Sequence, residues 1–166
     1  MAAYVTVADA NKYFSARLFA ENWFEADNGN KIKALDMATK QIDRLPLKGR
    51  PADPNQELQF PRAYIGGTVL DRQQYFDFIQ GWWYEQEVPE RVKNACCEQA
   101  LFLLTLTKYE RDRNRQHILG IVTENLDLAT EISDKNLVSQ MRKRTILCPE
   151  AREYLLPYLV GKVRTR

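Results

Sequence analysis

The sequence predicts a mainly α fold, namely a small helical bundle with a β-hairpin or extended-loop insertion between a long central helix and a C-terminal helix. Apolar residues recur at helical spacing over residues 32–45 and again over 92–106. Prolines stand where helices would begin or end, at Pro46, Pro89 and Pro149. With 166 residues, 45% of them hydrophobic and 28% charged, the chain is long enough to bury one core.

The first predicted element is a helix that Thr6 opens. Thr6 and Asp9 have the spacing of a capping box, with Asp9 in place of the usual glutamate. The apolar pattern of this helix continues to about Leu18. We expect a second, short helical turn around Trp23 and Phe24.

The clearest helical pattern follows an Asn-Gly turn signal. The Asp-Asn-Gly-Asn sequence at 27–30 predicts the end of that short helical turn, and Pro46 ends the next helix. Residues 46–61 contain four prolines and one glycine, which predicts an ordered but irregular connection. We expect its ending, Phe60-Pro61-Arg62, to anchor the connection against the bundle. The apolar stripe of the helix consists of Ile32, Leu35, Ala38, Thr39, Ile42 and Leu45.

Residues 68–87 are rich in aromatic side chains. We expect a loop or a short helix here, after a turn at Gly66-Gly67. Because a large exposed apolar patch is unusual on a monomer, most of the cluster should be buried and part of it should face another subunit. The aromatic residues are Tyr75, Phe76, Phe78, Trp82, Trp83 and Tyr84.

The second half of the chain is predicted to hold a long helix, an arm and a short last helix. Pro89 lies in the first turn of the central helix, and the β-branched residues of 118–132 favour a hairpin. Cys148-Pro149-Glu150 opens the last helix, which Pro157 kinks or ends. The predicted division is a single domain over 1–160, with a helical core at 6–110 and 148–160, a β or loop arm at about 117–147, and a flexible basic tail at 161–166.

No residue pattern in the sequence marks an enzyme, and we expect neither catalytic residues nor a cofactor or metal. The sole histidine, His117, has no motif that names a nucleophile or an orienting carboxylate beside it. Gly66-Gly67 lacks the lysine of a phosphate loop. The three cysteines, Cys96, Cys97 and Cys148, lack the spacing of metal ligands and are expected to be buried free thiols in a reducing compartment.

Basic residues are more frequent toward the end of the chain. Residues 1–99 carry 12 Lys or Arg and 14 Asp or Glu, whereas residues 100–166 carry 12 and 8. Lysine and arginine near phosphates attract nucleic acid in a salt-dependent, sequence-independent way; solvated surface charge is the alternative interpretation. No apolar run approaches the ~18 residues of a membrane span, so no membrane contact is expected. The basic clusters are Arg111, Arg113 and Arg115; Arg142, Lys143 and Arg144; and Lys162, Arg164 and Arg166.

Five short motifs stand in order along nearly the whole chain. They are Tyr4-Val5-Thr6-Val7-Ala8-Asp9-Ala10; the helix from Lys33-Ala34-Leu35 to Ile42-Asp43; Gln56 with Phe60-Pro61-Arg62; Val88-Pro89-Glu90 with Ala95 and Ala100; and Pro149-Glu150-Ala151 with Leu156-Pro157-Tyr158-Leu159. Together they resemble a family of tailed-bacteriophage proteins that act as head–tail connectors, or neck adaptors, of the type often described as DnaT-like single-stranded-DNA-binding proteins. Two segments, 66–86 and 127–147, depart from the family pattern in length, aromatic content or charge.

The resemblance implies a structural subunit of the virion neck, made in the cytoplasm of the bacterial host. It implies a homo-oligomeric ring, commonly of twelve copies, that lies under the portal and extends the DNA channel. The expected partners are other copies of the chain, the portal protein, a downstream neck, stopper or tail-completion protein and, transiently, double-stranded genomic DNA. Expected subunit or portal contacts are Trp82, Trp83, Tyr154, Tyr158, Lys162, Arg164 and Arg166, and expected channel- or DNA-facing residues are Arg142, Lys143 and Arg144.

A single-stranded-DNA-binding accessory protein is the alternative function. Such a protein would need a basic groove with aromatic side chains on which bases stack. A small enzyme of DNA packaging is a weaker third possibility, because the sequence holds no metal or phosphate motif.

Overall fold

In the part of the chain that the structure describes, three helices are followed by a sheet and then by two further helices. The computed structural model describes residues 3–65, 74–79, 81–107, 110 and 147–160. The chain divides into two compact units, Met1–Leu104 with Leu147–Arg166 and Thr105–Ile146. The elements are α1 (Val7–Ser15), α2 (Glu21–Glu25), α3 (Asn28–Asp43), β1 (Arg50–Pro51), β2 (Arg62–Ile65), β3 (Gln74–Asp77), β4 (Trp82–Glu85), α4 (Glu90–Thr105), α5 (Pro149–Leu155) and a 3₁₀ turn (Leu156–Tyr158).

The capping box at the start of α1 is confirmed. Thr6 Oγ1 accepts a hydrogen bond from the backbone N–H of Asp9 at 3.2 Å, and it donates to the Asp9 carboxylate at 2.6 Å. These bonds satisfy a donor that the first helical turn leaves without a partner. The short helix predicted around Trp23 is also confirmed as α2, on which Trp23 is fully buried. The first helix ends at Ser15, earlier than its apolar pattern predicts.

The predicted break after the short helix is confirmed, since α2 ends at Glu25 and α3 begins at Asn28, but Asn28-Gly29 forms the first turn of α3 and not a turn between helices. Asp27 is the N-cap of that helix, and its Oδ1 accepts from the backbone N–H of Asn30 at 2.9 Å. The side-chain cap prevails over the turn preference of Asn28-Gly29 because it pairs an otherwise unpaired helix donor. The predicted apolar stripe is buried except for Ile32, which is 48% exposed.

The predicted mainly α bundle is wrong, since a four-stranded antiparallel sheet lies between α3 and α4. Its strand order is β1-β2-β4-β3. The aromatic segment, expected as a loop or short helix, supplies β3 and β4. Bulky aromatic residues favour extended strands. Gly81, with a φ of 70°, lies in the turn between β3 and β4, where a left-handed conformation is needed. The hairpin predicted at 118–132 lies outside the described residues.

Helix α4 is central to the core, as predicted. Its fully buried Gln99 joins three helices: the amide nitrogen donates to Gln41 Oε1 of α3 at 2.8 Å, and the amide oxygen accepts from the Cys148 backbone N–H, just before α5, at 2.8 Å. A buried amide must be hydrogen-bonded on both sides to avoid a desolvation cost. The expectation of buried free thiols is confirmed for Cys96, Cys97 and Cys148.

Arg62 fixes the proline-rich connection between α3 and the sheet. The residue is 4% exposed, and its guanidinium donates to the backbone carbonyls of Lys48 (2.7 Å), Gly49 (2.8 Å) and Gln59 (3.1 Å). The planar fork of donors can reach three carbonyls at once. Burial lowers the pKa of Arg62. The predicted anchoring role of Phe60-Pro61-Arg62 is therefore confirmed, and the Phe60–Pro61 peptide bond is cis.

The last described residues run back along the same connection. The backbone N–H of Lys48 donates to the Tyr158 carbonyl at 2.8 Å, and that of Val160 donates to the Pro46 carbonyl at 2.9 Å. The Tyr158 ring packs edge-on against Phe60, with ring centres 5.3 Å apart. These contacts seal one end of the core. Among the residues that the structure describes, none of the helices has the length and hydropathy to cross a bilayer.

Candidate nucleic-acid interface

One face of the sheet carries an arginine, two aromatic residues and an exposed isoleucine. The register opposes Arg50 to Ala63 and Ala63 to Tyr84, and it opposes Ile65 to Trp82. Because directly opposed residues of antiparallel strands project from the same side, all of these side chains share one face. We call Arg50, Ile65, Trp82 and Tyr84 the arginine face.

The guanidinium of Arg50 stacks on Trp82. Its central carbon lies 4.1 Å from the centre of the Trp82 ring, and its Nη2 donates to the Tyr84 hydroxyl at 3.2 Å. This is the geometry of a cation–π contact. Trp82 and Tyr84 are half-buried, Arg50 is exposed and Ile65 is 70% exposed. Apolar and cationic groups are therefore presented together to solvent.

The other face of the sheet anchors it. The buried carboxylate of Glu85 accepts from the Tyr64 hydroxyl at 3.0 Å and from the Arg62 backbone N–H at 2.9 Å. Burial and the Glu85 carboxylate raise the pKa of Tyr64 well above its ordinary value, so its proton stays available to donate. These bonds join β4 to β2 on the Glu85 face of the sheet. They thereby fix the strands that carry the arginine face on the other side of the sheet.

An aromatic cluster also lies on the Glu85 side. Phe76 contacts Trp83, with ring centres 4.9 Å apart, and the Phe78 ring lies edge-on at 4.9 Å from the Phe76 ring. Phe78 is 88% exposed. The hairpin of β3 and β4 therefore presents aromatic side chains on both of its faces.

The structure separates the residues that the sequence predicts as contacts. Trp82 and Trp83 are both half-buried but lie on opposite faces of β4, since consecutive strand residues alternate. Tyr154 is half-buried against the core, and Tyr158 is fully buried within it, so the Tyr158 side chain is not on the surface of the chain. The other predicted contact residues, Lys162, Arg164, Arg166, Arg142, Lys143 and Arg144, lie outside the described residues, as does His117.

Sequence reasoning missed Arg50 and Ile65 as members of a functional surface. Arg50 lies within the proline-rich connection and Ile65 directly precedes the predicted turn at Gly66-Gly67, and only strand pairing brings them beside Trp82. The Trp-x-Tyr alternation from Trp82 to Tyr84 was the available signal, because a period of two places both rings on one face.

The arginine face is suited to stacking rather than to catalysis. Tyr84 and the side of the Trp82 ring that Arg50 does not cover can take the flat face of a base, and a guanidinium can bind phosphate oxygens. Asp77, opposite Trp82, contributes a carboxylate to the same face, so its electrostatic attraction for DNA is moderate. In the part of the chain that the structure describes, no three His, Cys, Asp or Glu residues converge as metal ligands would.

Comparison with known protein families adds one match, which covers residues 1–164. The family is described as "Putative DnaT-like ssDNA binding protein". The chain belongs to this family. The DnaT-like family match spans the aromatic hairpin, the proline-rich connection and the helices alike. No curated protein and no solved structure matches the chain.

Proposed function

We propose that this protein binds single-stranded DNA through the arginine face. The observation that carries the proposal is the stacking of the Arg50 guanidinium on Trp82, with its central carbon 4.1 Å from the ring centre and a hydrogen bond to the Tyr84 hydroxyl. Both rings are partly exposed to solvent. The membership of the DnaT-like family supports the same function. Proteins that bind unpaired nucleic acid combine aromatic rings with cations in this way.

Binding would rest on stacking more than on charge. Trp82 and Tyr84 are two residues apart on one strand, so their rings are spaced by about 6.5–7 Å along it and each can take one base. Every base has a flat face, so this contact tolerates any sequence. In a duplex the same faces are stacked on neighbouring pairs, so single strands are preferred. Arg50 would bind a phosphate of the strand that lies over the rings.

The test is fluorescence anisotropy of a labelled single-stranded oligonucleotide with the full chain at two salt concentrations. Trp82→Ala should weaken binding by about 5- to 150-fold, the equivalent of ~1–3 kcal/mol per stacked base, and Trp82→Phe should retain most of the affinity. Trp83→Ala is the matched control, because that ring lies on the opposite face of the same strand. The proposal fails if the wild-type chain does not bind, or if the two alanine variants lose affinity equally.

A second candidate function is the head–tail connector, in which copies of the chain form a ring on a phage portal. Leu18 and Phe19 favour it, because these neighbouring side chains are 78% and 81% exposed. The Arg17 guanidinium donates to the carbonyls of both residues, at 2.7 and 3.3 Å, which fixes the shape of this loop. A rigid apolar projection is suited to insertion into a protein pocket.

Electron microscopy of purified portal rings mixed with the full chain tests the connector. Rings decorated by the wild-type chain, and bare rings with Phe19→Ser, would support it. Met37→Ser is the control, because Met37 is also an exposed apolar residue, at 51%, but lies on α3. Bare portal rings with the wild-type chain would contradict the connector function.

A further inference from the structure

The turn between β3 and β4 carries two apolar side chains that are almost completely exposed. Phe78 is 88% and Ile79 is 96% exposed. No core contact explains their presence at the end of a hairpin, where polar and small residues are usual. We call Phe78 and Ile79 the hairpin tip.

Hydrogen bonds to Asp77 hold the hairpin tip in a fixed shape. The Asp77 carboxylate accepts from the Ile79 backbone N–H at 2.8 Å, and the Asp77 carbonyl accepts from the Gly81 backbone N–H at 2.8 Å. Phe78 rests edge-on against Phe76, which in turn contacts Trp83. The two apolar side chains are therefore presented by a braced turn, so little conformational entropy is lost when they contact a partner.

The hairpin tip lies at the end of the strand pair that carries the arginine face, with Phe78 leaning toward the opposite face against Phe76. Asp77 and Trp82 are the last opposed pair of the hairpin, so the tip begins directly beyond the stacking surface. A strand lying over Trp82 along β4 therefore reaches the tip within about two residues' length, roughly 7 Å. Phe78 and Ile79 are themselves uncharged, and one carboxylate, that of Asp77, lies beside them. Two exposed glutamates, Glu21 and Glu25, lie beside the Leu18–Phe19 loop.

The geometry points to a wedge at a junction between single-stranded and double-stranded DNA. Apolar side chains such as Phe and Ile insert between base steps and unstack them. The free-energy cost of unstacking is offset by additional contacts between the DNA and the protein. The arginine face holds the unpaired strand, and Phe78 and Ile79 stack on the last base pair of the adjoining duplex. This inference rests on the proposed single-strand binding and adds the substrate class, a forked or tailed duplex.

The test uses the full chain with three DNAs: a single strand, the same strand as the tail of a duplex, and a blunt duplex. The tailed duplex carries 2-aminopurine at its terminal base pair, whose fluorescence rises when the base unstacks. We expect the tailed duplex to bind at least about fivefold more tightly than the single strand, with a rise in 2-aminopurine fluorescence. The double variant Phe78→Ser/Ile79→Ser should lose both effects and keep its affinity for the single strand.

Phe24→Ser is the matched control, because Phe24 is a half-exposed aromatic residue on α2, and it should behave like the wild type. A chain that does not bind the single strand overturns the proposed function and the wedge together. A chain that binds the single strand, but binds the tailed duplex no better and leaves 2-aminopurine unchanged, overturns the wedge alone. Loss of self-association in the tip variant, measured by sedimentation, with 2-aminopurine unchanged, also overturns the wedge and assigns the tip to contacts between copies.

Discussion

Arg17 and Glu98 form an ion pair in which Arg17 Nε lies 2.6 Å from Glu98 Oε1, and the glutamate side chain is only 6% exposed. The Tyr13 hydroxyl donates to the same oxygen at 2.6 Å. The pair joins the loop after α1 to α4, and Tyr13 adds a bond to Glu98 from α1 itself. Because the Arg17 guanidinium also holds the carbonyls of Leu18 and Phe19, it couples the buried core to an exposed loop in which Phe19 has a left-handed φ of 58°.

Glu98→Ala should destabilise the fold by about 2–3 kcal/mol, because it leaves the partner cation without its buried carboxylate. The expected loss is below the ~3–5 kcal/mol of fully buried pairs, since the Arg17 side chain is 27% exposed. Urea unfolding measures the free energy. Glu90→Ala is the control, because the Glu90–Lys93 pair is exposed and 3.7 Å apart, and it should cost no more than ~0.5 kcal/mol. Equal losses in the two variants would contradict this role of Glu98.

Arg62→Lys should destabilise the protein nearly as much as Arg62→Ala, by about 2–4 kcal/mol each, because several buried carbonyls lose charged donors. An ammonium group cannot reproduce the three-carbonyl geometry of the guanidinium. The measurement is the free energy of unfolding in urea, with the exposed Arg91→Lys as control. If lysine restores wild-type stability at position 62, charge alone suffices and the geometric argument fails.

The helices could be predicted from the sequence because their signals are local. Thr6 with Asp9 forms the predicted cap, and Pro89 precedes α4 where the sequence places the helix start. The cap at Asp27 was misread because Asn28-Gly29 favours a turn when it stands alone. The hydrogen bond from the Asn30 backbone N–H to the Asp27 side chain favours the helix over the turn. This bond forms only when the helix forms, so the sequence alone does not show it.

The sheet and the candidate site could not be predicted because their partners are distant in sequence. Arg50 lies 32 positions before Trp82, and only strand pairing brings the two residues together. The aromatic segment, predicted as a loop or short helix, forms strands β3 and β4. Six aromatic side chains in a short stretch indicate burial but do not indicate a strand. The pairing register of β4 with its two neighbours is needed to show that Trp82 and Tyr84 lie on one face of the sheet and Trp83 on the other.

The Asp43→Asn variant should reduce the pH dependence of stability. Burial raises the pKa of Asp43 above its ordinary value of 3.8, although hydrogen bonds from Tyr4 and the Gln59 backbone act against this. The folded state therefore holds the proton more tightly than the unfolded chain, and this stabilisation, complete below 3.8, is lost as pH rises through the folded pKa. Asparagine stays neutral and still accepts from the Tyr4 hydroxyl.

The check is the urea midpoint at a series of pH values from about 3.5 upward. The wild type should lose stability relative to Asp43→Asn across the window that opens at 3.8. Asp36→Asn on the same helix is the control, and it should follow the wild-type profile. Parallel profiles for the wild type and Asp43→Asn would show that Asp43 does not titrate differently in the folded protein.

The cysteines should be nearly unreactive in the native protein. Burial raises the pKa of Cys96 to about 12 and that of Cys148 to about 11, so almost no thiolate forms near pH 8. A coloured aromatic disulfide reagent at this pH should react with the native chain about a hundredfold more slowly than with the chain in urea, where three thiols should be counted. Cys148→Ser should leave two thiols in urea and the native rate unchanged. Rapid native reaction of any one thiol would contradict its burial.

Arg50→Ala should lower both the affinity for single-stranded DNA and its dependence on salt. A cation that contacts one phosphate contributes about 0.7 to the slope of log K against log salt for a single strand, so the variant should have a slope smaller by that amount. Arg50 also covers the Trp82 ring, so its loss exposes more of the ring, and at high salt the variant should bind almost as well as the wild type because stacking then dominates. Arg91→Ala removes the same charge from α4 and should leave the slope unchanged. A slope equal to the wild type for Arg50→Ala, with lower affinity at every salt concentration, would mean that Arg50 only orients Trp82 and does not touch phosphate.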